Sequence, residues 1–179
     1  MRYVALGPLV VLVLAVLAVA ASVAVPSLRR GDLAGGFRRA GRVLLAGAVL
    51  AVLGLTLLGN TSGFRSVNLV PGAGIESALS NANRGLGILN LLGNVLMFAP
   101  IGFLFVVVVR RSIGQAVAVV AALSLFIETA QYVVGRAADI DDVLLNTTGA
   151  LVGATFAVLC AQTVQAADRS SRRSEASSR

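Results

Sequence analysis

The stretch SLFIETAQYVVGRAADIDDVLLNTTGALVG, Ser124 to Gly153, decides how this sequence is read. Both of its ends are apolar enough to sit in lipid. Its middle gathers Glu128, Gln131, Arg136, Asp139, Asp141, Asp142 and Asn146. Two membrane-crossing helices joined by a short polar connection account for that pattern.

The rest of the chain agrees. Of 179 residues, 57% are hydrophobic and 13% charged, against about 45–50% and roughly 25% in a soluble domain. Several apolar runs approach or exceed the roughly 20 residues that cross a bilayer. The expected fold is all-α, a polytopic membrane protein with about five transmembrane helices. All 15 basic residues are arginine, which suggests a GC-rich bacterial genome. The net charge of +7 reads as cytoplasmic loop charge, and no nucleic-acid partner is expected. There is one cysteine, Cys160, and no histidine. That excludes an intramolecular disulfide, histidine-dependent triads and HExxH zinc sites. No cofactor motif is present.

The five spans fall at about Tyr3–Val25, Val43–Gly59, Gly87–Val109, Ile113–Val134 and Val143–Val164. The first competes with a signal peptide, since small residues at Ala18-Val19-Ala20 resemble a cleavage site. Its apolar stretch exceeds the roughly 7–15 residues of a signal core, so a retained span is expected. Three regions follow: a first helix with an Arg-rich loop (1–42), a transmembrane domain (43–165) and a disordered polar tail (166–179). Eleven arginines lie in the 26–42 loop, the turn after span three and the tail; four lie on the other side. The positive-inside rule then places the N-terminus outside and the C-terminus in the cytoplasm of a bacterial plasma membrane. The connection 60–86 faces outward and is expected to hold a re-entrant or interfacial piece near Val67–Leu79.

Charges inside a membrane span are costly and normally face a bundle interior or a wet cavity. Ser124, Glu128 and Gln131 share one face of span four by their i, i+4, i+7 spacing. Asp142, Asn146, Gly149 and Gly153 do the same in span five, and Asn90 and Asn94 in span three. Three helices thus present polar stripes at their outer ends. Spans three to five are expected to form one bundle, with spans one and two outside it. Plain structural roles stand beside this reading. Asp141 or Asp142 would cap span five. Arg136 would pair with Asp139. Asn90, Asn94 and Asn146 would join helices by hydrogen bonds, and Gly149-x-x-x-Gly153 would let a neighbouring helix approach closely. Pro100 frees the Leu96 carbonyl, and a kink is expected there.

Four pieces, in order, resemble the VanZ-like family of bacterial membrane proteins. They are RSVNLVP (Arg65–Pro71), NLLGNVLMFAPIGF (Asn90–Phe103), IETAQYVVGR (Ile127–Arg136) and DIDDVLLNTTGALVG (Asp139–Gly153). The family usually has phenylalanine after the proline of the first piece, where this chain has Gly72. The resemblance implies a cell-envelope setting. The founding member is associated with low-level resistance to the glycopeptide teicoplanin, and the resemblance implies no reaction.

Three functions compete. The first is a binding or modulating protein that takes a lipid-linked or glycopeptide ligand from the outer leaflet. Its candidate contacts are Asn90, Asn94, Glu128, Gln131, Arg136, Asp139, Asp142 and Asn146, and its partners include membrane lipids. The second is a membrane enzyme acting on a lipid headgroup or isoprenoid-linked substrate, with Glu128 as acid or base. No metal motif appears, although Asp139 and Asp142 could offer oxygen ligands. The third is a small transporter or flippase. The orientation is directly testable. With Cys160 replaced by alanine, Ser170→Cys should resist an impermeant thiol reagent in intact cells and react after permeabilisation. Labelling in intact cells would reverse the topology.

Overall fold

The computed structural model describes residues 16–22, 24–26, 29–57, 65–80 and 83–177. A short apolar helix α1 (Val16–Pro26) precedes α2 (Leu33–Leu57). Two residues of strand, β1 (Val67–Asn68), lead to the short helix α3 (Ala73–Ser80). Then come α4 (Arg84–Leu104), a π-helical turn (Phe105–Val109), α5 (Ile113–Val133), β2 (Ala138–Asp139) and α6 (Ile140–Ser177). Among the described residues, four helices are long and apolar enough to cross a membrane. They correspond to spans two to five. Most of the expected first span lies outside the described residues, whereas Ala18-Val19-Ala20 of the cleavage alternative fall within α1.

Local chemistry sets the helix ends. Asp32 starts α2 ten residues earlier than the hydropathy pattern suggested: its Oδ1 accepts the Gly35 N–H at 2.8 Å, and its carbonyl accepts the Gly36 N–H. Arg38, Arg39 and Arg42, expected in a loop, therefore lie on the helix. Ser112 and Gln115 form a reciprocal capping box at the start of α5, which satisfies two otherwise orphaned donors. At the far end of α5, Gly135 has φ +87°. Its N–H bonds the Tyr132 carbonyl, and the Arg136 N–H bonds the Gln131 carbonyl at 2.9 Å. This is a Schellman closure, which needs a left-handed residue that glycine supplies without strain.

The disordered tail expected after residue 165 is instead a continuation of α6 to Ser177. At 1.5 Å per residue its 38 residues span about 57 Å, nearly twice the roughly 30 Å hydrocarbon core. The tail's Ala, Arg and Glu residues are adequate helix formers, and extending an existing helix avoids the cost of nucleation. Helix α4 runs through Pro100 and then widens into the π-helical turn. Arg110, in the left-handed region at φ 57°, closes that turn.

The core joins Val52 of α2, Phe98 and Ile101 of α4, Val120 and Ile127 of α5, and Ala150 of α6. Span two is therefore part of the bundle, not outside it as expected. The pattern misled because α2 lacks a polar stripe: it contributes apolar packing from Leu45, Val49 and Leu53 around Val52. Outward-facing residues such as Leu92, Leu96, Phe126 and Phe156 are exposed. In water such a surface would demand a partner; for a membrane helix the lipid tails supply one.

The closest approach is between α4 and α6. A Cβ at Gly149 would overlap the Val95 carbonyl oxygen, one at Gly153 the Ala99 carbonyl oxygen, and one at Gly102 the Ala150 backbone. The Gly-x-x-x-Gly pair thus packs within the monomer, backbone on backbone, as small residues allow between membrane helices. Because the obstacles are main-chain atoms, a side chain cannot be accommodated by a rotamer change. Gly153→Leu should cost at least the roughly 1–3 kcal/mol of an overpacked core, read as a lower melting temperature in detergent. Gly114→Ala, whose Cβ would meet nothing within 4 Å, should lose no stability.

Candidate functional site

The polar residues singled out by sequence gather at one end of the bundle, where two connections meet. Residues 65–72 lead into α3, and residues 134–139 join α5 to α6. They are stitched together by a parallel bridge, Val67 beside Ala138 and Asn68 beside Asp139. The Ala138 N–H donates to the Ser66 carbonyl at 3.0 Å.

Asp141 anchors this end. It is only 2% exposed, yet it carries a carboxylate. Its Oδ1 accepts the Gly72 N–H at 2.6 Å, and its Oδ2 accepts the N–H groups of Gly74 at 2.8 Å and Ile75 at 3.2 Å. These donors belong to the start of α3, where backbone N–H groups have no intrahelical partner and the helix dipole is positive. Gly72 has φ +90°, the conformation that turns its N–H toward the carboxylate.

The sequence assigned Asp141 or Asp142 to cap its own helix. Neither does so by its side chain. The cap is Asp139, whose Oδ1 accepts the Asp141 N–H at 2.9 Å and also the Asn68 Nδ2 hydrogen at 3.1 Å. Asp142 instead accepts from Asn94 Nδ2 at 2.5 Å, tying α6 to α4. Helix dipole arguments see only the local sequence, so they could not show that Asp141 serves a helix nearly 70 positions earlier.

Behind this layer, the buried Glu128 accepts the Asp139 N–H at 2.8 Å. Asn146 Nδ2 donates to Ser124 Oγ at 2.8 Å. That bond sets the antiparallel register of α5 and α6, so one turn nearer the connection Glu128 and Asp142 fall opposite each other. Asp139, Asp142 and Arg136 are all within electrostatic reach of Glu128. Asn146 Oδ1 is buried without a donor among the described residues.

Gln131 and Arg136 do a third job. Gln131 Nε2 donates to the Thr56 carbonyl at 3.1 Å, and Arg136 Nη1 donates to the same oxygen. Thr56 lies in the last turn of α2, whose carbonyls have no intrahelical donors. One N–H of the Arg136 guanidinium therefore closes a helix end, where the sequence suggested a pair with Asp139. Arg65 reaches across to the Val133 carbonyl at 3.2 Å and lies over the Tyr132 ring.

Between α3 and α4 lies a cleft of about 860 Å³. Asn90, Asn94 and Asp139 line it, so three of the eight candidate contacts face one space. Glu128, Gln131, Arg136, Asp142 and Asn146 are not among its lining residues. Sequence reading missed Gly74, Ser77, Asn83 and Gly93, which do line it. The signal for Gly74 is steric: a Cβ there would sit 2.6 Å from Asp139 Oδ2 and 3.0 Å from Asp141 Oδ2. At its narrow side α3 and α4 touch, where a Cβ on Gly87 would overlap the Ala78 carbonyl oxygen. Among the described residues, no three Cys, Asp or Glu side chains converge as a metal site.

An all-α, multi-pass membrane protein with a polar cluster at one end of its bundle is the class that this fold and site define. A family model described as VanZ/LLP1 matches residues 38–161, and the chain belongs to that family. No curated protein and no solved structure matches it.

Removing the Asp141 charge tests the anchor. Asp141→Asn would turn an amide N–H toward backbone donors and lose charge-assisted bonds worth about 1.5–3 kcal/mol each. It should lower the melting temperature and expose the segment before α4 to protease. Asp142→Asn should be milder, because an asparagine oxygen can still accept from Asn94. Equal effects would show that the anchor is not special.

Proposed function

We propose that this VanZ/LLP1-family protein binds a lipid-linked or glycopeptide ligand in the cleft between α3 and α4, at the outer leaflet of a bacterial plasma membrane. The observation that carries the reading is the cleft's composition. Its polar side chains Asn90, Asn94 and Asp139 stand beside Leu86, Leu89 and Met97. Leu86 is 53% exposed and Leu89 65%. A ligand with a polar head and an apolar chain fits such a space: the head reaches the amides and carboxylate, and the chain lies along α4 toward lipid. The outer-leaflet placement is supported by the arginine distribution, and the cell-envelope setting by the family. The binding reading is favoured over acid–base catalysis because the Glu128 carboxylate is engaged by the Asp139 N–H and lies outside the cleft lining.

Gly93 offers a clean test. It lines the cleft, and a Cβ there would meet nothing within 4 Å. Gly93→Phe should fill the space without disturbing the fold. Lipid extraction of the purified protein should recover a bound amphiphile from the wild type and little from Gly93→Phe at unchanged melting temperature. Where deletion alters glycopeptide susceptibility, Gly93→Phe should fail to complement. Equal lipid content and full complementation would reject the cleft as the binding site.

A further inference from the structure

We propose that the head recognised in the α3–α4 cleft is an uncharged, hydroxyl-rich one, a glycosyl headgroup, and not a phosphate. The inference rests on the reading that the cleft takes a lipid-borne ligand. It follows from which polar groups line the cleft and how they are already used.

The chain has 15 arginines, yet none lines this cleft; its one charged side chain is Asp139. Arg84, at the start of α4, lines a separate hollow beside Glu76 on α3. Arg136, the cation nearest the cluster in sequence, is turned to the Thr56 carbonyl. A phosphate entering here would meet a carboxylate without a compensating cation, the reverse of the Arg-rich, bidentate surroundings that phosphates favour.

The unused hydrogen-bonding groups fit a sugar. Asp139 Oδ1 is committed to Asn68 and the Asp141 N–H, whereas among the described residues no donor is bonded to Oδ2, which lies beside Gly74. The side-chain amides of Asn83 and Asn90 and the Ser77 hydroxyl also have no hydrogen-bond partner among the described residues, and all three line the cleft. Amides offer both donors and acceptors, a carboxylate accepts only, and a serine hydroxyl does either. A ring of hydroxyls is the complementary counterpart, since each hydroxyl donates one hydrogen and accepts others. An ammonium group would also pair with Asp139 but brings no acceptor of its own for the amide N–H groups, so phosphatidylethanolamine would have to set its phosphate among them without a cation.

Native mass spectrometry of the full-length protein in detergent tests this, with equal amounts of a monogalactosyl diacylglycerol, phosphatidylglycerol and phosphatidylethanolamine of matched chains. The galactolipid should be retained preferentially, and Gly93→Phe should abolish its retention. Asn90→Leu, at an exposed residue with no bond to lose, should weaken galactolipid retention about fivefold, the loss of one neutral hydrogen bond. Preferential retention of phosphatidylglycerol, blocked by Gly93→Phe, would overturn the glycosyl assignment and leave the cleft reading standing. Preference for phosphatidylethanolamine would overturn it in favour of an ammonium head. If no lipid is retained in a Gly93→Phe-sensitive way, both readings fall together.

Discussion

A buried carboxylate facing three backbone N–H groups holds the polar end of this molecule together. Asp141 is the second residue of α6, and it binds the first turn of α3 from across the fold. An eight-residue helix is too short to be stable alone in water. Its exposed donors would also be expensive at a membrane boundary without partners. One ionised side chain meets both difficulties. By fixing the start of α3, it also sets Gly74 against Asp139 and creates the cleft wall that faces α4.

The same requirement, that every backbone polar group find a partner in lipid, explains the remaining polar residues. Thr56 near the end of α2 hands its carbonyl to Gln131 and Arg136. The end of α5 closes on itself through Gly135. Asp139 caps α6. Each of these residues looks functional in a hydrophobic sequence because polarity there is rare, and several are used to end or join helices. Asn83, Asn90, Ser77 and the second oxygen of Asp139 differ in that, among the described residues, no hydrogen bond of the fold uses them.

Much of the architecture was legible in the sequence. Apolar runs located α4, α5 and the start of α6 within a few residues, because lipid imposes a minimum length that hydropathy reports. Gly149 and Gly153 signalled a close helix contact, and the structure places it within the monomer against α4. Arg38, Arg39 and Arg42 depress hydropathy without breaking a helix, so the apolar pattern begins later than α2 does. The polar tail reads as disordered by composition, which does not register that a helix already formed can be extended cheaply.

By itself, then, the sequence determined an all-α membrane protein and which polar residues would cluster, since i, i+4 spacing fixes which side chains share a helix face. It could not determine which of them would face the cleft. That depends on contacts between residues some 50–80 positions apart: Asp141 with Gly74, Asn94 with Asp142, and Arg136 with Thr56. Spacing along one helix carries no information about its rotation against another. Only tertiary packing decided that Asp139 and the α4 asparagines would line an open cleft, while Glu128, Gln131 and Arg136 would be turned inward to hold the frame.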